Sequence, residues 1–316
     1  MSRRVTVQAG DSSTELHRIR ITEVGPRDGL QNEQAVITTE SKVAFINALS
    51  RSGVAEIEAG AFVSRHAVPQ MADSEDVFRK IERMPGVTYS ALVPNARGLE
   101  RARSVQAHKI GVFTAASETF TRRNINATIQ ESLGRFKPVM AGARRDGMAV
   151  RGYISTAWYC PYEGKIEPVR VMDVMRRLFD LGVDEISLGD TIGRASPADV
   201  RKLLDVVLPQ VPRTGLSLHF HDTYGMAVAN VLTAWSDYEI DAFDSSAGGL
   251  GGCPYAPGAS GNVATEDVIS ALKASGATVP VDEIQVVAAA RQLEKMLKHP
   301  LRSRLSQVKN CESQRP

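Results

Sequence analysis

Five short stretches of this chain bring together residue types that can do chemistry. "EVGPRDGLQNE", Glu23 to Glu33, sets Arg27 beside Asp28 where an apolar run, RIRITEV, ends in Gly-Pro. "GLSLHFHDTYG" spaces His219 and His221 two apart. "EIEAGAFVS" carries Glu58, "EISLGDTIG" carries Asp190, and "GGLGGCPYAPGASGN" carries Cys253 and Asn262. Each has a plain structural reading: a solvated turn, two hydrogen-bonded core histidines, a salt bridge, a flexible loop. Each also has a chemical one: a metal ion, a cation that meets a developing negative charge, a thiol that moves a proton.

On a strand, successive side chains point to opposite faces. His219 and His221 therefore share one face, while Leu216, Leu218 and Phe220 take the other. Two such imidazoles can hold a single divalent ion. Asp28 offers a hard carboxylate and Asn262 an amide oxygen. This donor set suits Mg²⁺, Mn²⁺ or Zn²⁺ and does not choose among them. Cys253 is then free for chemistry. So much glycine around it costs chain entropy unless the loop needs unusual backbone angles, close approach or mobility. A lid that brings Cys253 over the metal when substrate binds meets that need. Glu58 alternates with Glu56, and an inward carboxylate at a strand end is costly unless paired, with Arg27 the candidate partner. Asp190 and Asn95, in "ALVPNARG", are further polar groups at strand ends.

These residues need a scaffold. Short β-rich runs alternate with helical patterns along the chain: Arg18–Gly25, Val54–Gly60, Thr88–Val93, Lys109–Ala115, Ala149–Thr156, Glu185–Asp190, Gly215–His221 and Asp241–Gly248. Between them, stretches such as SKVAFINALSRSG and PVRVMDVMRRLFDLG repeat apolar residues at helical spacing and end in Gly. Eight strand–helix units in about 250 residues predict an α/β chain folded as a closed (β/α)₈ TIM barrel. An open doubly wound sheet would carry a glycine fingerprint after its first strand, and EVGPRDG is not one. The barrel spans residues 15–316 as one catalytic unit, with a C-terminal helical extension from about 280 and an N-terminal extension over 1–14. Active sites of this fold lie where the strands end. Asp28, Glu58, Asp190, His219, His221 and the glycine-rich segment all fall at such ends.

Bulk properties narrow the function classes. The chain has 316 residues, 43% hydrophobic and 23% charged, with 38 basic residues against 36 acidic, so nucleic acid and anionic membranes are not expected partners. No apolar run approaches the ~18 residues of a membrane span. The start, MSRRVTVQAGDSSTE, lacks an apolar core, so it does not read as a secretory signal and makes a poor transit peptide. Three dispersed cysteines, Cys160, Cys253 and Cys311, predict a reducing, cytoplasmic setting rather than a disulfide framework. Cys160 is expected to pack, and Cys311 to be an inert surface thiol, a redox-sensitive contact with a neighbouring subunit being the alternative.

"EVGPRDGLQNE", "HFHDTYG" and above all "GGLGGCPYAPGASGNVATED" resemble the 3-hydroxy-3-methylglutaryl-CoA lyases, metal-dependent barrels that cleave carbon–carbon bonds next to CoA thioesters. "FVS…VPQM", "TAASETFTRRNIN", "RGYIS…CPYEGKI" and "DEISLGDTIG" extend the resemblance over roughly residues 18 to 300. It implies metal ligands Asp28, His219, His221 and Asn262, Arg27 stabilising an enolate oxygen, Cys253 in proton transfer, and Glu58 and Asp190 in support. It implies an acyl-CoA substrate, a homodimer or larger assembly, and a place in leucine breakdown or ketone-body formation. Ser64 to Ala67 read SRHA where the family pattern has SPKW, and EAGAF precedes them, departures that bear on the acyl group. The implied reaction gives acetoacetate and acetyl-CoA. Asp28, a histidine or a metal-held water can take the first proton. Rivals are the same chemistry on citramalyl-CoA or a longer hydroxyglutaryl-CoA, condensation as in isopropylmalate or homocitrate synthases, and a barrel that only binds a CoA ester.

Overall fold

The eight runs rich in β-formers become eight parallel strands, six of them shorter than the sequence pattern suggests and two spanning the expected residues. They are β1 (Arg20–Glu23), β2 (Glu56–Ala61), β3 (Thr88–Leu92), β4 (Lys109–Ala115), β5 (Ala149–Ser155), β6 (Glu185–Asp190), β7 (Leu216–Phe220) and β8 (Ala242–Ser245). The computed structural model describes residues 18–252, 261–297 and 299–313. Within these, each strand pairs with its neighbour in sequence, and β1 closes on β8 through Arg20 opposite Ala242 to Glu23 opposite Ser245. This is the closed (β/α)₈ barrel that the alternation predicts. A two-stranded hairpin, Tyr159–Cys160 with Gly164–Lys165, is added in the loop after β5, where no strand was expected.

Helices fill the connections for readable reasons. Helix α1 (Thr39–Ser50) starts at Thr38, whose side chain accepts from the Ser41 N–H. The helix Pro168–Leu181 begins with proline at its first turn, buries Val171, Met172, Val174, Met175 and Leu178, and stops at Gly182 with φ 95°. Asn95 turns out to cap the helix Ala96–Ser104 by accepting from the Gly98 N–H, so its strand-end position is structural. The C-terminal extension joins the ring: Glu283–Glu294 packs on both α1 and the helix Thr265–Ala274. One apolar cluster runs from Ile19 to Leu301, mostly between the strands and the helices.

The barrel interior is different. Its inward positions hold Glu56, Glu58, Lys109, Arg151, Ser187, Ser217 and Asp244, all buried. Branched apolar side chains usually fill this space. Here opposite charges do: Lys109 pairs with Glu56 at 2.8 Å and with Glu185. Such groups tolerate burial only when paired. Space is made for an aromatic ring as well, since a Cβ on Gly111 would lie 2.7 Å from the Tyr153 ring.

Candidate active site and metal centre

The turn that follows β1 explains how adjacent residues reach one site. Gly25–Gly29 winds as a π-helical turn, with the Gly29 N–H donating to Val24 O at 3.1 Å. One extra residue per turn bulges the backbone, a geometry often found at functional sites. Pro26 sits in the first turn, where its missing N–H costs nothing. Gly29 packs so closely against the segment after β8 that a Cβ would lie 2.8 Å from Ser246 Oγ and 3.0 Å from Leu250 Cβ.

On this turn Arg27 reaches into the barrel mouth. Its Nε donates to Glu58 Oε2 and its Nη1 to Asp28 Oδ1, both at 2.6 Å. Its guanidinium carbon lies 5.6 Å from the centre of the Tyr153 ring. Burial and the Arg27 charge act oppositely on Glu58, and burial pushes its carboxyl above the usual range. Register shifts between Glu58 and Gly60 of β2, a bulge that interrupts the pairing with β3 just beyond Glu58 before it resumes at Gly60.

Asp28 joins the two halves of the site. Its Oδ1 also accepts from Gln31 Nε2 at 3.1 Å, and its Oδ2 accepts from Asn262 Nδ2 at 2.9 Å. His221 Nε2 lies 3.9 Å from the same Oδ2. Burial opposes its charge, but Arg27 and the two histidines hold the carboxyl well below the ordinary carboxylate range. His219 and His221 stand side by side with ring centres 5.2 Å apart. One donor atom from each of Asp28, His219 and His221 falls within 4.8 Å of the others. Asn262 bridges its backbone to His221, and its buried Oδ1 has no hydrogen-bond partner among the described residues. A desolvated acceptor without a donor is uncommon. The amide adjoins the Asp28 carboxylate through its Nδ2, and a flip of the amide would turn this acceptor toward a divalent cation held by that carboxylate and the two imidazoles.

Asp190 is not one of the three groups whose donor atoms converge, although both histidines act on its charge. Its oxygens accept from the Arg194 and Ala195 N–H groups at 3.1 and 2.9 Å, tying down the loop after β6, and burial pushes its carboxyl up to about 6. Cys253 lies outside the described residues. The stems of its loop meet beside Asn262: the Gly261 N–H donates to Gly251 O, and the Asn262 amide to Leu250 O. Cys160 is buried and 3.1 Å from Ser117 Oγ, packing as expected. Arg65 of the SRHA segment bonds Glu75 at 3.1 Å.

Sequence reasoning missed Glu23, Arg151, Tyr153 and Asp244. The signal was present for two of them, Arg151 and Tyr153, a charged and an aromatic residue at alternate positions of the strand run AVRGYIS. Glu23 faces outward between β8 and the helix ring. It accepts from the Gly25 and Ala247 N–H groups and from Thr265 Oγ1, and burial pushes its carboxyl up to about 7. The folded chain thus keeps a proton that the unfolded chain has lost above its normal value of 4.5. Stability from this group is complete below that value and is lost as pH rises through about 7, on the order of 3 kcal/mol. Glu23→Gln keeps an acceptor for both N–H groups and offers a donor to Thr265. Denaturant unfolding at about pH 5 and about pH 8 should show the variant gaining on the parent chain at the higher pH. A gain at the lower pH would mean that Glu23 is ionised when folded.

The closed barrel and the cluster at the C-terminal ends of its strands define a (β/α)₈-barrel enzyme with a candidate divalent-cation site. The HMGL-like family model matches residues 18–293. The chain belongs to this HMGL-like family. It is 48% identical over 290 residues to the cytoplasmic 3-hydroxy-3-methylglutaryl-CoA lyase of Rattus norvegicus, covering 92% of this chain and 84% of that protein. It is 46% identical over 291 residues to the mitochondrial hydroxymethylglutaryl-CoA lyase of the same animal, covering 92% and 89%. The crystal structure of the Bacillus subtilis HMG-CoA lyase superposes with a TM-score of 0.91 at 46% identity, covering 93% of this chain and 98% of that one.

Proposed function

We propose that this chain is a metal-dependent carbon–carbon lyase that cleaves 3-hydroxy-3-methylglutaryl-CoA to acetoacetate and acetyl-CoA. One observation carries the reading. The Asp28–His219–His221 cluster and the Arg27–Glu58 pair meet at one barrel mouth, in a chain 46 to 48% identical to proteins named as lyases of this substrate.

The ligands in this reading are Asp28, His219, His221 and Asn262. The ion in this reading is Mg²⁺ or Mn²⁺, with Zn²⁺ the alternative, a preference that rests on the family resemblance because the donor set admits all three. Such an ion supplies Lewis acidity toward the tertiary hydroxyl of the substrate. Asp28, held well below the usual carboxylate range, is a poor proton acceptor and suits a ligand. Arg27 faces the negative charge that gathers on the thioester oxygen as acetyl-CoA leaves as its enolate. Glu58 and the Tyr153 ring hold the guanidinium still, so no reorganisation is needed when that charge appears. A histidine of the site or a held water takes the hydroxyl proton as the C2–C3 bond breaks, Cys253 then gives a proton to the enolate carbon, and Asp190 steadies the loop after β6.

Homodimeric assembly and a place in leucine or ketone-body metabolism rest on the family resemblance. The cytoplasm rests on cysteine usage, since similar relatives are named for both the cytoplasm and the mitochondrion. No helix among the described residues is long and apolar enough to cross a membrane.

The test is direct. Purified protein is incubated with 3-hydroxy-3-methylglutaryl-CoA and Mg²⁺, with and without EDTA, and acetoacetate and acetyl-CoA are assayed. Release of both, stopped by EDTA and restored by excess Mg²⁺ or Mn²⁺, is expected. Acetyl-CoA and pyruvate from citramalyl-CoA alone would move the specificity. Cleavage indifferent to EDTA would remove the metal from the mechanism.

A further inference from the structure

Below the histidines, Arg151 on β5 and Asp244 on β8 meet across the barrel, with Arg151 Nη2 2.9 Å from Asp244 Oδ1. Both are buried, at 2% and 1% exposure. Asp244 also accepts from Ser187 Oγ at 2.7 Å and Ser217 Oγ at 3.1 Å. Its Oδ2 lies 3.4 Å from Nδ1 of His219, the residue paired with it across the β7–β8 ladder.

A buried ion pair is weak evidence for stability, because desolvation offsets much of the attraction. Its geometry says more. Partners from β5, β6 and β7 converge on this one carboxylate, two serine hydroxyls that donate to it, the Arg151 cation and the His219 ring, so it has a single orientation. An anionic acceptor at Nδ1 keeps the imidazole proton there and leaves the lone pair on Nε2. Histidines that bind metals commonly have such a partner on the second nitrogen. The same Arg151 stacks 5.4 Å from the centre of the Tyr153 ring, whose other cationic neighbour is Arg27.

We infer that Asp244, held by Arg151, Ser187 and Ser217, is a positioning residue that fixes the tautomer and ring orientation of His219 for cation binding. This rests on the reading of Asp28, His219 and His221 as cation ligands. Asp244 touches neither cation nor substrate. It sets how tightly the site closes on the cation and how reproducibly the ring is aimed.

The experiment uses the full chain with Mn²⁺ as probe, its binding followed by electron paramagnetic resonance and its imidazole tautomers by ¹⁵N NMR. His219→Ala serves as the reference for the ligand reading. If that variant binds Mn²⁺ as the parent chain does, His219 is not a ligand and the premise fails. With the premise standing, Asp244→Asn is expected to weaken Mn²⁺ binding about 10- to 100-fold. It should also replace a single Nδ1–H tautomer of His219 with a mixture. A lower melting temperature with unchanged Mn²⁺ affinity and an unchanged tautomer would reduce Asp244 to a structural role and overturn the inference. Should Asp244→Asn not fold, Ser217→Ala removes one donor to the carboxylate while leaving the buried Arg151–Asp244 pair intact. That variant should weaken Mn²⁺ binding several-fold, and no change would overturn the inference equally.

Discussion

Arg27→Met is expected to lower kcat by about 1,000-fold while leaving the metal content of the protein nearly intact. The magnitude follows from the cost of removing one preorganised donor to a developing oxyanion, about 100- to 1,000-fold. The upper end applies because Arg27 is buried and already fixed by Glu58 and Tyr153, so its loss removes a charge from a poorly solvated site. Metal content is the discriminating readout. Asp28 loses its 2.6 Å contact to Arg27 but keeps Gln31 and Asn262 as partners, so its carboxylate stays near the histidines. Glu58 is left buried without its cation, a loss worth about 3–5 kcal/mol when half of a buried pair is removed. Adding Glu58→Gln to the Arg27 variant should therefore restore much of the stability and none of the turnover. Elemental analysis, thermal unfolding and steady-state kinetics separate these effects. A variant that lost its metal along with its activity would mean that Arg27 acts chiefly by holding Asp28.

Asp28→Asn should do the reverse. The change is nearly isosteric, but it removes the one carboxylate in the cluster with His219 and His221. Cation affinity is expected to fall at least about 100-fold, the upper end of what a hydrogen-bond partner one step further out is worth. Turnover should fall to background at ordinary Mg²⁺ concentrations. Stability should change little, because Arg27 keeps Glu58 at 2.6 Å and so is not stranded. Calorimetric titration with Mn²⁺ beside the product assay reads both quantities. Normal affinity with lost turnover would move Asp28 from ligand to proton acceptor, against the low position that Arg27 and the histidines give its carboxyl. Together the two variants divide the Arg-Asp pair by function, one member losing charge stabilisation and the other losing the cation.

Much of this molecule is legible in local pattern. Strand–helix alternation is a periodicity, and periodicity survives in a linear string because each element buries one face by its own spacing. The barrel followed from it, and β4 and β6 run over the residues expected, Lys109–Ala115 and Glu185–Asp190. The shared face of His219 and His221 also follows from strand geometry alone, and their rings do stand together. Barrel topology brings strand ends to one rim, so the meeting of Asp28 with both histidines was implied by chain position once the fold was known.

Other features depend on contacts between distant parts of the chain. No local pattern says that the turn carrying Arg27 and Asp28 is π-helical, since Gly29 there packs against Ser246 and Leu250, more than 200 positions away in the segment after β8. Nor does one say that Asp190 is used on loop N–H groups rather than in the cluster. Asp244 shows the limit most clearly. In sequence it is an acidic residue within a short strand, and nothing nearby marks it. Its four partners come from residues 25 to 93 positions away, His219, Ser217, Ser187 and Arg151, and only closure of the barrel brings them within reach. The sequence determined the elements and which residue types stand at their ends, because those depend on short-range sterics and burial. The tertiary structure decided which charge answers which, because pairing across a barrel interior depends on the register and closure of all eight strands.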